Sequence, residues 1–193
     1  MIMAAKNQDS GAKSAKKAWT ILILFSLIVV FAVIGVRLFR NDGGVIQIGQ
    51  VPEDFILRTY SGDEIDTADL VDKVVLINFW ASWCDPCEEE ALLLEEAWQQ
   101  IEQGGSKEVV FLGVAYNDVE PNSQAFLKEY GITYPNGPDL RGEISGIFNI
   151  KGVPETFILD QSGRLQYVKY GPFLTSDEIV QAVDSVRGTP EGE

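Results

Sequence analysis

The chain has 193 residues and not one histidine. That absence removes Cys-His and Ser-His-Asp catalysis, histidine metal sites and haem held by histidine. Cysteine is nearly absent too, with 2 in the whole chain. Two cysteines cannot close a four-ligand zinc site alone, so neither a metal nor any other cofactor is expected. Positive charge is sparse: 15 Lys and Arg face 29 Asp and Glu, for a net charge of −14. Six of those bases lie before residue 41, so residues 44–193 hold 9 bases against 27 acids. Such a surface excludes docking on nucleic acid or on anionic lipid. A well-solvated surface explains it, and attraction to basic partners is the functional alternative, which charge alone favours less.

The two cysteines stand together, as Cys84-Asp85-Pro86-Cys87 after Trp83. They follow the apolar run Val74 to Trp80 and precede a helical pattern from Glu88 to Gln100. A dithiol at a strand-to-helix junction reads as a redox site. The helix N-terminus supplies unpaired N–H groups and partial positive charge, which favour a thiolate, and the thiolate is the form that attacks disulfides. A purely structural disulfide is the competing reading. So short a loop constrains the unfolded chain by only roughly 2 kcal/mol, which makes exchange the better explanation.

Residues 18–36 form a run of 19 residues without a charge. As a helix the run would be about 28 Å long, close to the hydrocarbon thickness of a bilayer. Lys6, Lys13, Lys16 and Lys17 precede it against one acid, Asp9. The positive-inside rule then places the N-terminus in the cytoplasm. A cleaved signal peptide would have a shorter apolar region and a small-residue cleavage site, but this run ends in Arg37-Leu38-Phe39-Arg40. The expected organisation is a cytoplasmic segment (1–17), an uncleaved transmembrane signal anchor (18–36), a linker (37–50), one domain (51–187) and a frayed tail (188–193).

Within the domain, the pattern predicts an edge strand at Phe55 to Thr59, a turn at Ser61-Gly62 and a short helical turn at Asp66 to Val71. Val74 to Trp80 reads as a strand covered on both faces. The helix from Pro86 to about Gln103 is expected to bury Ala91, Leu92, Leu94 and Trp98, and Gly104-Gly105 to stop it. Next come a strand at Val109 to Tyr116, a helix at Ser123 to Tyr130, a short strand at Ile132 to Tyr134 and a short helix at Glu143 to Phe148. A hairpin of Thr156 to Asp160 and Leu165 to Tyr170 leads to a last helix from about Ser176 to Val186. Thr175 and Glu178 have capping-box spacing. This order implies an α/β fold, with a central mixed sheet and helices on both faces.

Three stretches carry a family resemblance: Val75 to Cys87, Gly152-Val153-Pro154-Glu155-Thr156-Phe157-Ile158-Leu159-Asp160, and Gly171-Pro172-Phe173-Leu174-Thr175. Val51-Pro52-Glu53-Asp54-Phe55 adds to them. The chain resembles the thioredoxin superfamily, and within it the membrane-tethered bacterial branch that includes ResA, TlpA and CcmG (DsbE). The resemblance implies a thioredoxin-like fold and a cis Pro154 lying against the dithiol. In this fold the cis bond exposes the Val153 backbone for pairing with an extended substrate segment.

Cys84, at the cap of the helix, is expected to be the exposed attacking thiol. Cys87, one turn on and more buried, resolves the mixed disulfide. Pro86 suits the first helical turn. Asp85, Glu88, Glu89 and Glu90 add negative charge there, either as ordinary helix stabilisation or as a bias against the thiolate that makes the couple a better reductant. Asn78 stands where thioredoxins carry a buried aspartate and cannot titrate. The resemblance gives the proton-handling part to Glu90, and the alternative is an ordinary solvated glutamate. Trp80 reads as core and Trp83 as substrate surface. Asp85, Pro86, Val153 and Pro154 complete the expected substrate-binding set. Glu155 either helps select substrates or is simply exposed.

The expected activity is a thiol–disulfide oxidoreductase acting as a reductant on the extracytoplasmic face of a bacterial membrane. The resemblance implies apocytochrome c as client and a membrane thiol-electron donor of the CcdA or DsbD type as partner. Other protein clients, a disulfide-forming oxidant, a peroxidase and a non-catalytic binding module are the alternatives.

Overall fold

The computed structural model describes residues 19, 22–32, 34 and 46–187. Two compact units divide the chain, 1–42 and 43–193. In the first, residues 22–32 are helical and their side chains exposed. Among the described residues no helix is long and apolar enough to cross a membrane. The expected segment 1–17, several residues of the 18–36 run, residues 37–45 of the linker and the tail 188–193 lie outside the described residues.

The second unit is built on a five-stranded sheet. Its strands are β3 (Val74–Trp80), β4 (Val109–Tyr116), β5 (Asn136–Asp139), β6 (Glu155–Leu159) and β7 (Leu165–Tyr170). The spatial order is β5-β4-β3-β6-β7. β3, β4 and β5 run parallel, while β6 and β7 are antiparallel to their neighbours, so the sheet is mixed as expected. A separate hairpin pairs β1 (Ile56–Arg58) with β2 (Glu64–Asp66). β2 is polar and lacks an apolar alternation, which is why the sequence pattern did not suggest it. Asp66 instead caps a 3-10 turn at Thr67–Leu70 by accepting the Ala68 N–H.

All seven residues of β3 are buried, and their two-residue period divides them between two faces. Val75, Ile77 and Phe79 pack with Phe148 of α3 (Glu143–Phe148), with Phe157 and with Leu57 of the hairpin. Val74 and Leu76 pack against α1 (Asp85–Gln103) and α4 (Ser176–Arg187) through Leu94, Ala97, Ile179 and Val183. Trp80 extends that second face toward α2 (Glu120–Glu129), where it stacks on Phe126 at 4.6 Å. Helices therefore cover both faces.

Three sequence expectations are corrected. Leu92 is 58% exposed, whereas the buried stripe of α1 is Cys87, Glu90, Ala91, Leu94, Ala97 and Ile101. At 100° per residue Leu92 falls outside that stripe and Glu90 falls inside it. The fifth strand is Asn136–Asp139, not Ile132 to Tyr134. Ile132 and Tyr134 serve the core instead, and β5 tolerates Pro138 because it is the edge strand of the sheet. The helix expected from Ser123 begins at Glu120.

Candidate active site

The end of β3 delivers the chain to the mouth of α1, and Cys84 becomes the N-cap of that helix. Its extended backbone leaves the sulfur free to accept the Cys87 N–H at 3.2 Å, meeting one of the unpaired donors of the first turn. Pro86 fits that turn because its missing N–H had no partner to lose. Cys84 and Cys87 are joined in a disulfide. Cys87 is the more buried, at 2% exposure, but Cys84 reaches only 5%. The expectation of an exposed Cys84 is therefore corrected for the oxidised chain. Cys84 belongs to the buried cluster of Trp80, Ala81, Cys87 and Ala91, with Val153 packed against that cluster.

Trp83 itself is 58% exposed, and Asp85 and Pro86 are exposed beside it. The loop that presents Trp83 is tethered from beneath. Buried Asp118, after β4, accepts the Ser82 N–H at 2.8 Å and the Ser82 hydroxyl at 2.9 Å, and also the Ser123 hydroxyl. Sequence reading missed Asp118; its one signal was an acid closely following a buried strand.

The Val153–Pro154 bond is cis, as the resemblance implied. The Val153 carbonyl oxygen lies 3.6 Å from Cys84 Sγ, so this backbone edge borders the disulfide. Glu155 corrects the expectation of simple exposure. It is buried, and its Oε1 accepts the N–H groups of Lys151 and Gly152 at 2.8 and 3.0 Å. In register Glu155 sits opposite Phe79, whose side chain belongs to the face away from α1. The Glu155 Oε1 holds the loop leading into Pro154.

Glu90 lies one helical turn beyond Cys87 and is 1% exposed. Its Oε2 accepts from the Asn78 amide at 3.1 Å, and its Oε1 accepts the Phe173 N–H at 2.9 Å. Asn78 is oriented in turn by Thr156, its partner across β6. Burial pushes the Glu90 carboxyl up from 4.5 to about 7; the Phe173 and Asn78 hydrogen bonds and the charge of Lys169 oppose that rise without cancelling it. Asn78, which holds Glu90, lines one small cavity of about 10 Å³ together with Cys87 and Tyr134. Glu90 is thus the buried titratable group of the sequence expectation, not the solvated one. Among the described residues no cluster of His, Cys, Asp and Glu could hold a metal ion.

The arrangement holds one sulfur at a helix cap, a second sulfur one turn inside and a carboxyl that ionises near neutrality one turn further. Residues 48–168 match the AhpC/TSA family. The thiol-disulfide oxidoreductase ResA of Oceanobacillus iheyensis is 30% identical over 165 residues, covering 83% of this chain and 82% of that protein. The thioredoxin-like protein YneN of Bacillus subtilis is 33% identical over 142 residues, covering 72% and 80%. Among solved structures, a thioredoxin-family thiol:disulfide interchange protein from Chlorobium tepidum superposes with a TM-score of 0.65 at 27% identity, covering 75% of this chain and all of that one. The chain belongs to the AhpC/TSA family, and with Cys84 and Cys87 at this thioredoxin-like site it is a thiol–disulfide oxidoreductase of the ResA type.

Proposed function

We propose that the chain works as a reductant of protein disulfides on the extracytoplasmic side of a bacterial cell membrane. Residues 18–36 anchor it there as a single-pass helix with a cytoplasmic N-terminus. Its client is apocytochrome c, whose cysteine pair must be reduced before haem is attached, and a membrane thiol donor of the CcdA or DsbD type recharges it. The uncharged 19-residue run with lysines before it supports the anchor. An oxidising compartment makes an external supply of electrons necessary.

The observation that carries the reductant reading is buried Glu90 one turn from Cys87. Reduction of a client must release two protons from the dithiol. The Cys84 thiolate attacks one client sulfur, the client S–S bond breaks, and the departing client thiolate takes up a proton. Cys87 then gives its proton to the Glu90 carboxylate and attacks Cys84 Sγ. The Cys84–client bond breaks, the second client sulfur leaves as a thiolate, and the Cys84–Cys87 disulfide remains. The client gains two electrons and the dithiol loses two. A carboxyl that ionises at about 7 is matched to accepting that proton at neutral pH. Asp85, Glu88 and Glu89, all exposed on the first turns of α1, work against the thiolate. The reduced form is stabilised less, which lowers the potential.

The reduction potential of the full chain, equilibrated with dithiothreitol or glutathione, tests this. The expected value is at or below about −250 mV, in the range of thioredoxin, and a value near about −120 mV would make the protein an oxidant and refute the reading. Identifying what Cys87→Ser captures in cells then separates apocytochrome c from other clients.

A further inference from the structure

Gly171 to Thr175 joins β7 to α4 and passes directly over Glu90. Three successive attachments hold it. The Gly171 N–H donates to the Pro154 carbonyl at 3.0 Å. The Phe173 N–H donates to Glu90 Oε1 at 2.9 Å, and the Leu174 N–H to Glu178 Oε2 at 3.0 Å. Glu178 was expected to reach back to Thr175 as a full capping box; its N–H does bond the Thr175 hydroxyl, but its carboxylate goes to Leu174 and to Lys169. The Lys169 Nζ to Glu178 Oε1 distance is 2.6 Å, and Nζ lies 5.3 Å from the centre of the Phe173 ring. Lys169 is also in register with Thr156, and Thr156 with Asn78, so one row across three strands leads from this ion pair to the amide that holds Glu90.

Two neighbouring amides are therefore bound by two carboxylates from different helices, Glu90 of α1 and Glu178 of α4. We propose that Lys169 and Glu178 form a clamp that keeps the Phe173 amide on the Glu90 carboxylate, which makes them positioning residues for the proton acceptor of the dithiol. The proposal rests on the reading of Glu90 given above. An N–H directed at a carboxylate favours its ionised form. If the segment drifts, Glu90 loses that bond and burial acts on it with less opposition.

The groups facing Glu90 are Lys169 from β7, Glu178 from α4, Tyr134 just before β5 and Cys87 on its own helix. Tyr134 is held neutral by burial. Through space alone, the Lys169 cation favours ionised Glu90 and the Glu178 anion disfavours it. A pure field effect and a clamp therefore disagree on Glu178→Ala. Removing only a charge would let Glu90 ionise at lower pH. Removing the clamp sends it to higher pH, because the Leu174 bond and the anchor of Lys169 go together.

The test is the ¹³C carboxyl resonance of Glu90 followed against pH in the full oxidised chain, where neither cysteine titrates. Its absence in Glu90→Gln assigns it, and near-UV circular dichroism confirms that each variant is folded. Glu178→Ala and Lys169→Met are each expected to raise the midpoint by at least about half a pH unit. The double variant should move no further than the larger single change, since one device is broken twice. Lys169→Arg should keep the wild-type midpoint. A midpoint that falls or stays put in Glu178→Ala overturns the clamp. The role of Glu90 itself fails on a separate readout, an unchanged rate of insulin-disulfide reduction in Glu90→Gln.

Discussion

Replacing Glu90 by glutamine should change how stability depends on pH, and the size of the change follows from the site. The carboxyl ionises at about 7 in the folded chain against an ordinary 4.5. A raised value means that the folded chain holds the proton more tightly than the unfolded one. The contribution is complete below about 4.5, declines as pH rises and is gone once pH passes through about 7. At about 1.4 kcal/mol per pH unit, the interval corresponds to roughly 3 kcal/mol. A glutamine side chain does not titrate and cannot show this decline. It carries its own pH-independent cost of about 1 to 2 kcal/mol, since its single carbonyl oxygen cannot fully replace two acceptors for Asn78 and Phe173. Urea titrations of the oxidised wild type and Glu90→Gln at pH 5 and pH 8 should therefore differ in a defined direction. From the lower to the higher of these, the stability of the variant relative to wild type should improve by roughly 2.5 kcal/mol, most of the full interval. Other groups titrate in both proteins and cancel in the difference. Parallel pH dependences would refute the reasoning, because they would mean that Glu90 ionises in the folded chain as it does in the unfolded one.

Four shorter predictions follow from the same geometry. Cys87→Ser should accumulate a mixed disulfide between Cys84 and a protein substrate, visible on non-reducing gels, and the added substitution Cys84→Ser should abolish it. Trp83→Ala should leave stability within about 0.5 kcal/mol of wild type, given its exposure, while raising KM for insulin disulfides several-fold without a matching fall in kcat. Asp118→Ala should cost at least about 2 kcal/mol in urea titrations and slow insulin reduction, because it strands the Ser82 amide and two hydroxyls and releases the Trp83 loop. Gly113→Ala should cost about 2 to 3 kcal/mol, since a Cβ there would fall on the Asn136 carboxamide that accepts the Trp80 indole N–H; an unchanged midpoint would show that Asn136 can move aside.

Much of this site could be read in advance, and the parts that could are those carried by short-range pattern. The spacing of Cys84 and Cys87, Pro86 in the first turn and the seven-residue apolar run before them are local features, and together they define a strand, a cap and a dithiol. The β6–β7 hairpin and the last helix were legible for the same reason. Leu92 and Glu155 were misplaced because their fate depends on partners distant in sequence or on the exact angle of a helix. An apolar residue one step off the buried stripe is exposed, and a carboxylate beside Pro154 is buried because two amides of the preceding loop close on it.

The sequence by itself determined the chemistry of this protein. With no histidine and a single cysteine pair at a helix mouth, thiol–disulfide exchange is the reaction its residues can best support. Tertiary structure alone decided where the carboxyl one turn beyond the second cysteine ionises. Glu90 differs from Glu88 and Glu89 only in its angle around α1, and that angle turns it toward β3, where Asn78 and the Phe173 amide meet it out of water. Burial and hydrogen bonding, not residue type, set where a carboxyl ionises, and both are properties of contacts that join residues 78, 90 and 173 only once the chain has folded.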